Sequence, residues 1–223
     1  RKLLENEGFK NDFINRMADH VNTSFKPERV LEVIESIKNI ILPYMPEHID
    51  RWHDAAPISN WHNRIEIMEY FAINRPQHVA QHFIERWSLS GMSNVVLNVS
   101  DTEHGKIKIS SIVIDENTVG ANPEVYPWTG KYYNDIPVPI RAIAKPGYQF
   151  VKWEETDETD ELISVVLNGP INLTAVFEQD PDYGGQALYI NEFMASNNSI
   201  ITDDIGNFED WIEIYNSSNE IID

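Results

Sequence analysis

The spacing of apolar residues changes once along this chain, near residue 91, and that change constrains the fold more than any other feature. Before it, apolar residues recur every three or four positions, the period of an amphipathic helix. From Val95 onward they alternate with polar residues, the period of a half-buried strand. The sequence therefore predicts a helical N-terminal segment followed by β structure, a multidomain α+β architecture.

Two amphipathic helices are predicted between residues 9 and 41, and each has one apolar stripe. We expect the two stripes to pack together: Phe9, Phe13, Met17 and Val21 on the first helix, and Ile34, Ile37 and Ile41 on the second. Pro27 suits the first turn of the second helix, although Lys26 before it is a poor N-cap.

Prolines divide the rest of the helical segment, which we place at residues 1–90. Pro43 and Pro46 predict a short helix, followed by a long helix for which Ser59 is the expected N-cap. Arg75-Pro76 is expected to end that helix and to open a last one, because proline lacks a backbone donor. Residues 88–93 read as a linker.

Six strands are predicted in residues 93–180, which we interpret as a small β-rich, β-grasp-like domain. They cover residues 95–99, 106–114, 137–144, 148–153, 163–167 and 172–177. After a second linker, residues 187–194 and 210–215 predict two more strands.

The chain has a formal net charge of −19, and residues 181–223 contain no Lys or Arg. Such a charge repels phosphate backbones and anionic lipids, so nucleic acid is not an expected partner. No apolar run is long enough to predict a membrane span. The absence of Cys excludes disulfides and Cys-ligated metals.

His78, His82 and Glu85 share one face of the last predicted helix and are the candidate metal ligands. Val79 follows His78, so the His-Glu-x-x-His pattern of a catalytic zinc site is not formed. The alternative is a solvent-exposed helix that carries no metal.

Two acidic segments could gather Ca²⁺ through carboxylate oxygens, although neither has the ligand spacing of a calcium loop. One is residues 154–161, EETDETDE, and the other contains Asp203, Asp204 and Asp210. The alternative for each is a solvated loop.

Aromatic residues are concentrated in the β-rich segment, where Trp128, Tyr133 and Trp153 are the candidate ligand-binding residues. Exposed rings on a sheet can stack on sugars, whereas buried rings fill the core of a small domain. The sequence has no glycine-rich phosphate loop and no nucleophile motif. We therefore predict no catalytic and no cofactor-binding residue.

One run of residues is particular enough to suggest a family: Arg16, Ala18, Asp19, Asn22, Thr23 and Phe25, followed by Pro27, Glu28, Arg29 and Val30. Through these residues, the segment 11–37 resembles the C-terminal helices of CotH-type (spore-coat protein H) kinase-like proteins, and the resemblance extends over residues 1 to about 90. Lys26 stands where that family usually has Ser.

Two further resemblances follow along the chain. The β-rich segment is similar to the divergent internalin B-type β-repeat, through Gly105, Trp128, Gly130, Tyr132, 146–148, Phe150, Trp153 and 173–177. Through residues 190–192, 195–197 and 210–216, the last segment resembles the start of a lamin-tail domain. That resemblance implies an immunoglobulin-like sandwich, which typically has about 100 residues, so we expect residues 187–223 to be an incomplete immunoglobulin-like β segment.

The CotH resemblance implies an atypical kinase whose ATP- and Mg²⁺-binding residues precede these helices. We therefore expect a non-catalytic C-terminal fragment of a bacterial, secreted or surface-attached protein, with an upstream kinase-like core in the same chain as its partner. Alternatives are a module that binds a cell-surface glycan or protein, and a helical metal-binding protein.

Overall fold

A computed structural model describes residues 2–53, 56–119, 124–181, 183 and 188–216, and the chain divides into two compact units, Arg1–Glu178 and Gln179–Asp223. The first unit holds the helices and two β-sheets, and the second holds a two-stranded sheet. The predicted α+β architecture is confirmed.

The helical segment is built from α1 (Glu7–Asn22), α2 (Pro27–Ile41), α3 (Met45–Trp52) and α4 (Ile58–Trp87), with short 3-10 turns at Lys2–Glu5 and Leu42–Tyr44. Asn6 caps α1, because its Oδ1 accepts a hydrogen bond from the Phe9 N–H at 2.9 Å. As predicted, α2 begins at Pro27. Proline has no backbone N–H, and at the first position of a helix that group would have no acceptor within the helix.

The predicted break at Arg75-Pro76 is wrong, because α4 is one continuous helix with Pro76 inside it. Proline removes one backbone hydrogen bond, yet both halves of α4 are held by tertiary packing. Ala72 is buried in the first half, and Phe83 and Trp87 pack in the second. Ser59 is also not the N-cap, since α4 already begins at Ile58.

Eight strands follow in the first unit: β1 (Met92–Val99), β2 (Gly105–Ile109), β3 (Ile112–Ile114), β4 (Trp128–Tyr133), β5 (Pro137–Ala144), β6 (Tyr148–Trp153), β7 (Leu162–Val166) and β8 (Ile171–Gln179). They form two four-stranded sheets, in the orders β4-β1-β8-β6 and β3-β2-β5-β7. β1 pairs with β8 in parallel and with β4 in antiparallel. One hydrophobic core contains side chains of both sheets.

Two differences from the predicted strands have local causes. Residues 106–114 form β2 and β3 rather than one strand, and between them Ser110 takes a φ of 49°. This turn has neither Gly nor Asn, which are the usual markers of such geometry. β4 was not predicted at all, because Gly130 interrupts its alternation of large side chains.

The predicted pairing of the apolar stripes of α1 and α2 is wrong for the end of α2. Ile37 and Ile41 are exposed, and α2 instead packs on α4. α1 buries a different face, which contains Ile14 and Ala18, and it lies against β4 and α4. The stripe of α1 that includes Phe9 and Phe13 remains partly exposed.

The second unit contains β9 (Leu188–Met194) and β10 (Trp211–Asn216), which pair in antiparallel with a bulge at Glu213/Ile214. Ala187, with which the predicted strand begins, and residues 217–223 lie outside the described residues. The connecting loop is organised by Asn197, whose Nδ2 donates to the Glu209 carbonyl and whose backbone N–H donates to Asp210 Oδ1.

Candidate functional site

A stripe of buried polar residues on α1 joins the helical segment to the β-rich segment. Asn15, Asp19 and Asn22 occur at positions i, i+4 and i+7, so they lie on one face of the helix. All three are buried against β-strands rather than solvated. Buried polar groups are stable only when they are hydrogen-bonded, so each of these side chains needs partners on the β-sheets.

Asp19 is the centre of this stripe and is only 3% exposed. Its Oδ2 accepts hydrogen bonds from the Ser111 N–H at 3.0 Å and from Ser111 Oγ at 2.6 Å. Its Oδ1 accepts a hydrogen bond from the Tyr132 hydroxyl at 2.6 Å. One carboxylate therefore holds the β2–β3 turn, which belongs to one sheet, and β4, which belongs to the other.

Asn22 binds the free edge of β4. Its Oδ1 accepts from the Lys131 N–H at 2.8 Å, and its Nδ2 donates to the Lys131 carbonyl at 2.9 Å. This is the pair of bonds that a neighbouring strand would make, so the side chain covers part of a sheet edge. Asn15 adds a third attachment, with Nδ2 donating to the Pro137 carbonyl at 2.8 Å.

Apolar packing surrounds these polar contacts. Ile14 and Ala18 of α1 are fully buried in the same core as the strands of both sheets. Phe83 of α4 stacks on Phe13 at a centroid distance of 5.7 Å and on Tyr133 of β4 at 5.6 Å. The helical and β-rich segments of the first unit therefore share one core, and α1 is part of it.

Burial raises the pKa of three tyrosines in this core, Tyr126, Tyr132 and Tyr133. Below pH 10 each is neutral whether the protein is folded or not. Above pH 10 the unfolded chain ionises while the folded tyrosines stay protonated, so stability is lost as pH rises. We expect the free energy of unfolding to fall by about 1.4 kcal/mol per pH unit for each tyrosine, as measured by urea denaturation between pH 9 and 11.5.

Tyr133→Phe is the informative variant for this alkaline effect. Among the described residues, the Tyr133 hydroxyl has no hydrogen-bond partner, so its removal should cost little at pH 8. The slope of stability against pH should nevertheless decrease by about one third. A stability that does not change up to pH 11.5 would contradict the prediction.

The candidate metal ligands do not form a cluster. His78, His82 and Glu85 are exposed on α4, and Glu85 accepts a hydrogen bond from Gln81 Nε2 at 2.8 Å. No group of three His, Asp or Glu side chains placed to hold a metal occurs among the described residues.

The candidate aromatic residues lie in the core. Trp128, Tyr133 and Trp153 are all buried, and Trp153 Nε1 donates to the Asp160 carbonyl at 3.0 Å. All three rings belong to the hydrophobic core, so none of them is placed to stack on a sugar in this structure.

Both acidic segments use carboxylates for internal contacts. In residues 154–161, Glu155 accepts hydrogen bonds from the Thr174 N–H and hydroxyl, at 2.6 and 2.8 Å, and Asp157 pairs with Lys152. In the second unit, Asp203 Oδ1 accepts from the backbone N–H groups of Ile205 and Asn207 at 3.0 and 2.8 Å. These carboxylates organise loops.

The role of the polar stripe was not predicted from the sequence, although a signal for it was present. Asn15, Asp19 and Asn22 interrupt an otherwise amphipathic helix at regular spacing, and they flank the fully buried Ala18. Three polar residues on one helical face usually indicate a solvated side. Only the positions of Ser111, Lys131 and Tyr132 show that this face is an interface.

The architecture defines a multidomain α+β protein whose helical segment is docked on a β-rich one. Residues 1–79 match the family model described as CotH kinase protein, and residues 116–181 match the divergent InlB B-repeat domain. The chain therefore contains a CotH-type region followed by an internalin B-type repeat, as the two resemblances predicted. No curated protein and no solved structure matches the chain.

The matched segments and the folded parts have different limits. The CotH match ends at residue 79, inside α4, and the repeat match begins at residue 116, after β3. β1 and β2 nevertheless pair with strands that lie within the matched repeat. The lamin-tail resemblance of the last segment remains a prediction.

Proposed function

We propose that this chain is the non-catalytic C-terminal region of a secreted or surface-attached, bacterial CotH-like atypical kinase. Its helices brace the kinase-like core that precedes them in the same chain, and its β modules present or tether that core. The last β segment is, in this proposal, the start of a lamin-tail domain.

The observation that carries the bracing role is the exposed apolar surface of α2 and α4. Ile40 on α2 and Ile67 on α4 are each 67% exposed, and Val33, Ile37, Tyr70 and Phe71 are exposed as well. Amphipathic helices in a stable domain cover their apolar faces, and a large exposed patch indicates a partner surface. The kinase-like core implied by the CotH resemblance is the partner we assign.

The docking of α1 supports a rigid presentation role. Asp19, Asn15 and Asn22 connect the helical segment to both sheets through buried hydrogen bonds. A core braced on these helices would hold a fixed orientation relative to the β-repeat, because the two segments share side chains in one core. A flexible tether would not require such contacts.

Nucleotide and Mg²⁺ belong, in this proposal, to the preceding kinase-like part. No group of three carboxylates or histidines placed to hold a metal occurs in the described ranges. The non-catalytic assignment rests on the CotH resemblance, which places the ATP- and Mg²⁺-binding residues before the helices of this chain.

The proposed location is extracellular or at the cell surface, which the repeat-like β domain supports. No helix within the described ranges is both long and apolar enough to cross a bilayer.

The bracing role can be tested with Ile40→Asp and Ile67→Asp. Because both side chains are exposed here, each substitution should change the free energy of unfolding of residues 1–223 by less than about 0.5 kcal/mol. In a longer protein that includes the kinase-like part, each should lower it by about 2–3 kcal/mol, since a charge would then be buried in an apolar contact. Chemical denaturation of both proteins measures the difference.

The control is Ile205→Asp, the same substitution at an exposed position of the second unit, which should affect neither protein. Equal small effects of all three substitutions in the longer protein would refute the bracing role. ATP turnover by residues 1–223 alone, lost on substitution of one of its carboxylates, would refute the non-catalytic assignment.

A further inference from the structure

The outer face of the sheet β3-β2-β5-β7 has an unusual row of side chains across its four strands. In the register of the sheet, Lys108 lies opposite Val113 on one side and Arg141 on the other, and Arg141 lies opposite Leu162. The row therefore reads apolar, cation, cation, apolar. Lys108 and Arg141 are direct cross-strand neighbours, whose Cβ atoms are typically about 5 Å apart.

Two like charges placed directly opposite destabilise an antiparallel pair, so this arrangement has a cost for the fold. It is also unexpected in a chain with a net charge of −19. Arg141 has one carboxylate nearby, with Nη1 at 3.3 Å from Glu161 Oε1 on the exposed surface. Within the described residues, Lys108 has no ion pair, whereas its neighbour Lys106 is 3.3 Å from Asp115.

The two cations lie in an open groove of about 670 Å³ on this sheet face. Val113, Pro139, Ile143 and Leu162 form its apolar walls, and Ser110 also lines it. The groove thus combines two adjacent positive charges with aliphatic surface. The strands that carry the two cations, β2 and β5, have their backbone groups hydrogen-bonded within the sheet.

We propose that this groove binds the carboxylate of a short acidic sugar, one that carries a single uronic acid. Arg141 and Lys108 together hold the carboxylate, the guanidinium by its paired donors and the ammonium as a point charge. The aliphatic walls contact the C–H faces of the sugar rings. The site differs from the candidate aromatic residues, all three of which are buried.

The charge and the backbone both limit what can occupy the groove. A polyanion would be repelled by the overall negative charge, which favours a ligand with one carboxylate. An extended peptide usually binds by adding a strand to a free sheet edge, which in this sheet is β3 or β7, whereas the two cations lie on β2 and β5, each of which is paired on both sides. A sugar needs only side-chain contacts, and this face provides them.

The experiment is a calorimetric titration of residues 1–223 with a tetrasaccharide that ends in one glucuronic acid. We expect measurable binding that weakens as salt increases, and at least tenfold weaker binding of the neutral tetrasaccharide with glucose in that place. Lys108→Gln and Arg141→Gln should each weaken binding at least tenfold without lowering the melting temperature, since each removes a like-charge contact. Lys152→Gln, a lysine of the other sheet that pairs with Asp157, is the matched control.

Absence of binding would overturn the proposal, as would equal affinity for the neutral sugar or tighter binding of an acidic pentapeptide. Loss of binding together with unfolding in both variants would also count against it, because the residues would then be structural. The site does not depend on the bracing role, since Lys108 and Arg141 are outside the helical segment. The two proposals can therefore fail separately.

Discussion

Asp19→Asn should lower the free energy of unfolding of the first unit by about 2–4 kcal/mol, measured by equilibrium denaturation at pH 7. The substitution keeps the size and shape of the side chain. However, the new amide would direct hydrogens at either Ser111 or Tyr132, both of which donate to Asp19. At least one donor would lose its acceptor in a site that water does not reach, and that loss is the source of the effect.

Asp12→Asn is the control for this prediction, because Asp12 is exposed on the same helix and the substitution removes the same charge. It should change the free energy of unfolding by less than about 0.5 kcal/mol. Tyr132→Phe completes a double-mutant cycle with Asp19→Asn, and we expect a coupling energy above about 1 kcal/mol. If Asp19→Asn behaves like Asp12→Asn, the polar stripe does not hold the helical segment on the β-sheets.

Gly130→Ala should destabilise the first unit by about 3 kcal/mol. Gly130 lies in β4 opposite Val95, and the ring of Trp128 occupies the space where a side chain would stand. A Cβ atom there would lie 2.7 Å from Cζ3 of that ring and closer still to Cη2. Because Trp128 is buried, its ring cannot move aside without displacing other core residues.

Gly169→Ala provides the matched control, since a Cβ atom at that position would have no neighbour within 4 Å. We expect its melting temperature to stay within a few degrees of the parent, or to rise slightly because alanine restricts the unfolded chain. Gly105→Ala should resemble Gly130→Ala, because a Cβ atom there would collide with the ring of Phe177. Equal melting temperatures for Gly130→Ala and Gly169→Ala would disprove the close packing of Trp128.

The elements that the sequence predicted well are those whose burial follows a regular period. α1, α2, β1 and β5 were predicted because each has one apolar face and a clear start or stop signal. Two other elements, α4 and β4, were predicted wrongly or not at all, and they share a different cause. Pro76 does not break α4, and Gly130 does not interrupt β4, because packing from other parts of the chain compensates for the weak local preference.

The candidate sites also divide into features that residue spacing predicts and features that only the tertiary structure shows. His78 and His82 do share a helix face with Glu85, as their spacing required, yet the three do not form a group placed to hold a metal among the described residues. The aromatic residues were expected either to fill the core or to bind a ligand, and sequence spacing cannot separate these roles. The cationic pair of Lys108 and Arg141 was not predicted, because 32 positions separate two residues that only the strand register brings together.

The sequence by itself determined the switch from helices to strands, the acidic character of the chain, and the likeness to a CotH-type region and an internalin B-type repeat. These properties reside in local spacing, composition and short motifs. Only the tertiary structure decided that the polar face of α1 is buried. The reason is that a buried Asp or Asn is stabilised by specific donors and acceptors, and for Asp19 and Asn22 these are 92 to 113 residues away along the chain.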